Sequence, residues 1–131
     1  MTILHLLSND GGALTIEPDG QPEPFYWHVT LRAPELSATA DVDLDTLRHT
    51  TSPIGEYFRA LSRDWRGWTG SRTWGDRPLA LTATHDGLGH VALTVELDHS
   101  VDPDAWSVRA TIQLDAGRLD GAARQADRLT I

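Results

Sequence analysis

The string His85-Asp86-Gly87-Leu88-Gly89-His90 contains the residue types best suited to chemistry in this chain. Imidazole and carboxylate groups bind metal ions and transfer protons near neutral pH. One hypothesis is therefore a small metal-binding protein or hydrolase that uses His85, Asp86 and His90. Their spacing matches no recognised zinc pattern, and the chain has no Gly-x-Ser-x-Gly elbow, phosphate loop or dinucleotide fingerprint. It also has no cysteine, which excludes a thiolate zinc site, a cysteine nucleophile and a disulfide.

A β-hairpin must position these side chains, because Leu79–Asp86 and His90–Asp98 are both typical of strands. Two registers compete, and they differ by one residue. Pairing Leu79 with Leu97 sorts both strands into an apolar and a polar face, whereas the other register mixes the two faces. The favoured register leaves a three-residue loop in which Gly89 supplies the left-handed conformation that a bulged turn needs.

In this register the two histidines of the hairpin diverge. His85 faces the core side of the sheet, and His90 faces the polar side opposite Asp86. A cross-strand charge pair between Asp86 and His90 is therefore favoured over a metal site. We expect no metal, no cofactor and no catalytic residue.

A second candidate site lies in Asp64–Trp74, which holds three of the five tryptophans in the chain. Tryptophan and arginine are enriched at the energetically dominant positions of protein interfaces. Trp68 and Trp74 fit three interpretations: core residues, a carbohydrate-stacking platform, or a protein-contact patch together with Arg66 and Arg72. Each indole buries a large apolar area in so small a domain, so the core interpretation is favoured and protein contact comes next.

A helix precedes this tryptophan-rich segment. Ser52-Pro53 is typical of a helix start, with serine as the N-cap and proline at the first helical position. Apolar residues then recur at helical spacing. They are Ile54, Phe58, Leu61 and Trp65. With Gly67 as the C-cap, the helix should span about Pro53–Arg66 and should place Trp65 in the core.

Seven segments have the length and apolar alternation of strands. They are Ile3–Ser8, Ala13–Glu17, Phe25–Arg32, Leu36–Leu44, Leu79–Asp86, His90–Asp98 and Trp106–Leu114. A final helix of about Gly117–Arg128 should follow a cap at Asp115. No strand–helix–strand pattern recurs, which argues against a parallel sheet. We predict an α+β fold in one domain, residues 1–131, with a single twisted antiparallel sheet of about six to seven strands. The first helix should pack on its apolar face, and the C-terminal helix should be short.

The polar face of this predicted sheet carries many side chains that could line a binding surface or a shallow catalytic site. A solvated sheet face has the same residue types, and that interpretation is favoured. The side chains are Tyr26, His28, Arg32, Asp41, Asp43, Asp86, His90, Glu96, Arg109 and Gln113.

The formal net charge is −8, from 19 acidic and 11 basic residues, and every strong base is arginine. This balance argues against binding to nucleic acid or to an anionic membrane surface, but it permits a basic protein partner. No apolar run approaches the roughly 18 residues of a membrane span, and the N-terminus lacks the features of a signal peptide. We therefore expect a cytoplasmic protein. The lysine-free composition is typical of a high-GC bacterial genome.

Five features together resemble an uncharacterised family of small bacterial proteins: Trp65-Arg66-Gly67-Trp68, Trp74, Ala83–Val91, Trp106 and Leu114–Leu119. The resemblance covers the chain from the first helix onward, and the N-terminal third is less distinctive. The family is a domain of unknown function, so the resemblance implies no catalytic residue. Small acidic domains of this kind are often suspected of being immunity-type or other partner-binding proteins, which is an analogy only.

These observations favour a non-enzymatic binding protein, such as an immunity-like neutraliser of a basic protein. The expected partner-binding residues are Arg66, Trp68, Arg72, Trp74, Asp86 and His90. The alternatives are a metal-binding protein or hydrolase that uses His85, Asp86 and His90, and a carbohydrate-binding module with exposed tryptophan. The identity of the partner, the strand order and the oligomeric state stay open.

Overall fold

Within the residues that the structure describes, the chain forms two four-stranded antiparallel sheets and two α-helices. The structure is a computed structural model that describes residues 3–19, 26–45, 52–99 and 105–129. The first sheet contains β1 (Leu4–Leu7), β2 (Ala13–Asp19), β3 (Tyr26–Ala33) and β4 (Leu36–Asp43). The second sheet contains β5 (Arg72–Asp76), β6 (Leu79–His85), β7 (His90–Asp98) and β8 (Ser107–Asp115). The helices are α1 (Ile54–Arg63) and α2 (Leu119–Asp127), the latter preceded by a 3₁₀ turn at Ala116–Arg118.

Each sheet is a meander, because every strand pairs with the next one along the chain. In β3 the alternation found in the sequence corresponds to burial, with Trp27, Val29 and Leu31 all inaccessible to solvent. The intervening side chains of β3 point to the outer face, as expected for a sheet with one wet side. Phe25, the first residue of the corresponding predicted strand, lies outside the described residues.

The register of the β6–β7 hairpin confirms the prediction. Leu79 pairs with Leu97, and the apolar side chains of both strands share one buried face. Gly89 has a left-handed φ of 89°, as expected for its position in the loop. Gly87 is left-handed as well, with φ of 76°, so both glycines of the loop adopt a conformation that other residues rarely reach.

The two sheets contribute their apolar faces to one hydrophobic core. Trp27 of the first sheet stacks on Trp74 of the second, with ring centroids 6.2 Å apart. The turn after β1 is also hydrogen bonded to β8 of the second sheet. The Asn9 backbone N–H donates to the Gln113 backbone carbonyl over 2.9 Å, and the Gln113 backbone N–H donates to Ser8 Oγ over 2.9 Å.

The two helices pack closely on each other and complete the core. Gly55 of α1 allows this approach, because a Cβ atom at this position would lie only 3.1 Å from the Asp127 Cα. An ion pair between Arg59 and Asp127 adds a polar interaction where the two helices meet. The apolar side of α2 is buried as the sequence predicted; its residues are Leu119, Ala122, Ala123 and Ala126.

The prediction of a single sheet with six to seven strands is wrong, although the α+β class is correct. Alternation shows that a strand has one buried face, but it does not show which strands share a sheet. The chain passes through α1 after β4 and then starts a second sheet. Strand β5 was missed because only Trp74 is buried in it, which leaves too short a pattern to detect.

The predicted ends of the first helix are also wrong. Pro53, rather than Ser52, occupies the N-cap position, and no side chain caps the helix there. The helix ends at Arg63, and Asp64, rather than Gly67, is the C-cap residue. None of the helices in the described part of the chain has the length and apolar character needed to cross a bilayer.

Candidate functional site

The early end of α1 determines where the tryptophan-rich segment goes. The Asp64 carboxylate pairs with the Arg72 guanidinium, with Oδ2 and Nη1 2.7 Å apart, and this contact joins the helix end to β5. Gly67 then turns the chain with φ of 144°, in the region that favours glycine. As a result Trp65 leaves the helical stripe and is 50% exposed, so the prediction that it lies in the core is wrong.

His85, at the end of β6, connects this segment to the β6–β7 hairpin. Its Nε2 lies 2.8 Å from the Trp65 carbonyl, and its Nδ1 accepts the Gly87 N–H over 2.9 Å. Because Nδ1 must accept, the ring is the neutral tautomer with the proton on Nε2, which donates to the carbonyl. The His85 ring also contacts the Trp68 ring edge-on, with centroids 5.1 Å apart. One side chain therefore fixes two loops.

Trp68 is half-buried and packs against the core. The Arg72 guanidinium covers its ring at 5.0 Å, which is within cation–π distance. The Arg72 carbonyl in turn accepts a hydrogen bond of 2.9 Å from the Tyr57 hydroxyl. Burial raises the pKa of Tyr57, so its hydroxyl stays protonated and can donate. Trp68 is therefore a structural support of the segment with limited access to solvent.

Trp74 belongs entirely to the core and is 3% exposed. Its indole N–H donates to the Ser52 carbonyl over 2.8 Å, so its polar atom is satisfied inside the protein. A platform for sugar stacking needs open indole faces, and Trp74 has none. Of the two tryptophans proposed for carbohydrate binding, one is thus buried and the other is covered by Arg72.

Asp86 and His90 form the cross-strand pair that the sequence predicted. His90 Nδ1 lies 2.8 Å from Asp86 Oδ2, while Asp86 Oδ1 accepts the backbone N–H groups of Leu88 and His90. The Leu88 N–H, followed by the contacts with His90, holds the pKa of Asp86 below its usual value. Asp86 is thus a carboxylate that organises the loop.

The histidines of the hairpin do not converge. Both ring nitrogens of His85 are occupied by backbone groups, and His90 is bound to Asp86 on the exposed side. Among the described residues, no group of three or more His, Cys, Asp or Glu side chains is placed to hold a metal ion. A metal ion could reach His85 only after one of its hydrogen bonds had broken.

The fold does place two exposed apolar side chains on loops that His85 joins, and we call this region the Trp65 end. It consists of Trp65, Arg66 and Leu88 and the groove beside Trp65. Leu88, at the tip of the hairpin, is 79% exposed, and the Arg66 guanidinium lies 5.3 Å from the centre of the Trp65 ring. The groove has a volume of about 230 Å³. Its lining residues are Ser62, Trp65, Ala116, Gly117 and Asp120.

Sequence reasoning missed both apolar members of this surface. Trp65 was assigned to the helix because its spacing continues the stripe by one turn. Leu88 was treated only as a loop residue, although a leucine between two glycines is unusual in a turn, where small polar residues dominate. That composition was a usable signal of an exposed side chain with another role.

A family model for a family of unknown function, DUF6228, matches residues 13–130. The chain belongs to this family. This result confirms the expectation of an uncharacterised family, and the match extends further toward the N-terminus than the resemblance suggested. No curated protein and no solved structure matches the chain.

The polar side chains that were expected on one face of this DUF6228 protein are divided between its two sheets. His28 pairs with Asp41 over 2.7 Å within the first sheet, and Glu96 pairs with Arg109 over 2.9 Å within the second. Each pair joins neighbouring strands of its own sheet. The ten residues therefore do not form a common surface, and each pair is explained as a cross-strand contact.

Proposed function

We propose that this protein is a non-enzymatic binding protein that uses the Trp65 end to dock on a basic protein, as an immunity-like neutraliser would. One observation carries the proposal. Two large apolar side chains, Trp65 and Leu88, project from neighbouring loops into solvent at 50% and 79% exposure. Leaving such groups in water is unfavourable, and adjacent exposed apolar groups commonly mark binding surfaces.

The loops that carry these side chains are held in place before binding. The His85 ring bonds to the Trp65 carbonyl and to the Gly87 amide, and the Asp86 carboxylate accepts the Leu88 amide. A surface that is already ordered loses less conformational entropy when it binds. The ordered loops of the Trp65 end are therefore better suited to binding than loops that become ordered only on contact with a partner.

The composition of the surface also fits an interface. Trp65 and Arg66 are the residue types most enriched at energetically dominant interface positions. Three exposed carboxylates lie nearby: Asp64 at the end of α1, Asp86 in the hairpin and Asp120 in the groove. An apolar centre with a charged margin is the usual anatomy of a protein interface. The net charge of −8 favours a basic partner, because opposite charge accelerates encounter.

Affinity capture from extract of the native cell, with the immobilised full chain as bait, tests the proposal. We expect a protein of basic isoelectric point to be captured by the wild type and lost with Trp65→Ala. Truncation of a central interface tryptophan typically costs about 2 kcal/mol or more, roughly thirtyfold in affinity. Because opposite charges attract, capture should weaken as salt is raised.

Trp106→Ala is the matched control for this capture experiment. Trp106, directly before β8, is 42% exposed, and its ring contacts His99 at a centroid distance of 5.5 Å. This variant removes a comparable exposed indole outside the Trp65 end, so it should retain the partner. Capture that survives Trp65→Ala, or that fails equally with Trp106→Ala, would refute the proposed surface.

A further inference from the structure

A second feature, which shares only Gly117 with the groove beside Trp65, is a cleft between β1 and α2. Its volume is about 280 Å³, close to the lower end of the range for small-molecule sites, roughly 300–1,000 Å³. Four elements form its walls: β1, β8, the 3₁₀ turn and α2. The lining side chains with hydrogen-bonding groups are His5, Arg118, Arg124 and Gln125, and the apolar ones are Leu6, Leu114 and Ala122.

The charge in this cleft is opposite to that of the molecule. The protein carries a net charge of −8, yet none of the described residues that line the cleft is a carboxylate. Arg118 has no acidic partner among the described residues, and its contact with the Asn9 side chain is long, at 3.5 Å. Arg124 pairs with Asp120 through Nη1. Arg118 therefore presents a guanidinium with no carboxylate partner among the described residues, while Arg124 is already paired with Asp120.

Two other lining groups are already oriented. The Gln125 side-chain oxygen accepts the His5 backbone N–H over 2.8 Å, which leaves the amide NH₂ of Gln125 available to donate. The His5 ring is held through Nδ1, which lies 2.9 Å from Thr15 Oγ1. A bound group would thus find donors fixed on both walls without further ordering.

Gly121 in the first turn of α2 is the second, independent observation. A glycine inside a helix costs about 1 kcal/mol relative to alanine. Gly55 of α1 is required by close packing, but a Cβ atom at Gly121 would have only the Arg124 Nη2 atom nearby, at 3.9 Å. Packing inside the protein therefore does not explain Gly121. Its effect is to leave the helix surface open where the cleft and Arg124 meet.

We propose that this cleft binds a phosphate group, either free phosphate or the phosphate of a small monoester. Donors converge on it from three elements, and a tetrahedral oxyanion accepts from several directions, whereas a carboxylate matches a single guanidinium fork. The apolar residues between the donors would accommodate the organic part of an ester. This site does not depend on the proposed protein partner, and each can fail without the other.

The test is a titration of the isotope-labelled full chain with inorganic phosphate, phenyl phosphate and acetate at constant ionic strength, followed by amide chemical shifts. We expect saturable shifts at Gly117, Gly121 and Gln125 with phosphate and weaker binding of acetate. Tighter binding of phenyl phosphate identifies a monoester as the ligand class, and equal binding identifies free phosphate. Acetate binding as tight as phosphate contradicts the assignment.

Two variants and one control locate the site. Arg118→Gln should weaken phosphate binding roughly tenfold, the effect of one charge-assisted hydrogen bond. Gly121→Leu should abolish binding without lowering the melting temperature, because leucine favours the helix and fills the cleft. Arg109→Gln removes the same charge from the second sheet and should bind as the wild type does. Shifts that do not saturate, or that persist unchanged in Arg118→Gln, overturn the proposal.

Discussion

Trp65 and Trp74 come from one short segment of the chain but have opposite environments. Trp74 lies in the core, stacked on Trp27 and hydrogen bonded to the Ser52 carbonyl. Trp65 is half exposed, and the Arg66 guanidinium lies over its ring. The same residue type thus holds the two sheets together at one position and faces solvent at the other.

The difference arises from the backbone rather than from the side chains. Trp74 lies on β5, where alternation points it between the sheets, and Trp65 lies two residues after α1 has ended. Had the helix continued to Arg66, Trp65 would have joined Ile54, Phe58 and Leu61 in the core. Trp65 therefore lies at the surface because the helix ends at Arg63, before it reaches this residue.

Trp74→Ala should have the largest effect on stability. Removal of a buried tryptophan leaves a cavity and an unpaired Ser52 carbonyl, so we expect a loss of about 3–5 kcal/mol in the free energy of unfolding. Urea denaturation followed by circular dichroism measures this loss. A loss below about 1 kcal/mol would show that the stack between the sheets is not a structural requirement.

His85→Ala should have a moderate effect, because it removes the contacts that hold both loops of the Trp65 end. We expect a loss of about 1 kcal/mol, together with greater quenching of Trp65 fluorescence by acrylamide. His90→Ala is the control in the same hairpin. It breaks only an exposed pair with Asp86 and should cost under about 0.5 kcal/mol. Equal effects of the two variants would contradict the role of His85.

Trp65→Ala should change stability very little. Its ring is half exposed, so we expect a change within about 0.5 kcal/mol and an unchanged urea dependence. Thermal and urea unfolding measure this directly beside Trp74→Ala. A large destabilisation would mean that Trp65 is a packing residue, and the comparison between the two tryptophans would then fail.

Acidification should weaken the hydrogen bond between the Asp86 carboxylate and the Leu88 N–H. The pKa of Asp86 is lowered from 3.8 in the folded protein, chiefly by the Leu88 N–H. The stabilisation from this carboxylate is therefore fully present above the unfolded-state pKa of 3.8, and it is lost as the pH falls through the lower folded-state pKa. The Leu88 amide chemical shift, followed by NMR, should titrate with a midpoint below 3.8. A midpoint above that value would show that the contact does not hold Leu88.

Local features of the fold were predictable from the sequence because they depend on neighbouring residues. The pairing of Leu79 with Leu97 follows from matching the apolar faces of two strands, and the Asp86–His90 contact follows from that register. The apolar side of α2 was readable for the same reason, since Leu119, Ala122 and Ala126 recur at helical spacing.

Features that depend on distant contacts could not be predicted. The division into two sheets depends on which strands meet after α1, and alternation is the same in either arrangement. The end of α1 at Arg63 is accompanied by an ion pair between Asp64 and Arg72 on the next strand, which helical periodicity does not report. The exposure of Trp65 follows from that end, so the candidate surface was hidden from sequence reasoning.

The most direct test of the central claim is the dissociation constant of the captured partner for wild type, Trp65→Ala and Trp106→Ala, measured at one salt concentration. We expect Trp65→Ala to weaken binding roughly thirtyfold while its stability stays within about 0.5 kcal/mol of the wild type. Trp106→Ala should bind as the wild type does. Equal dissociation constants for wild type and Trp65→Ala would contradict the proposal that the Trp65 end is the binding surface.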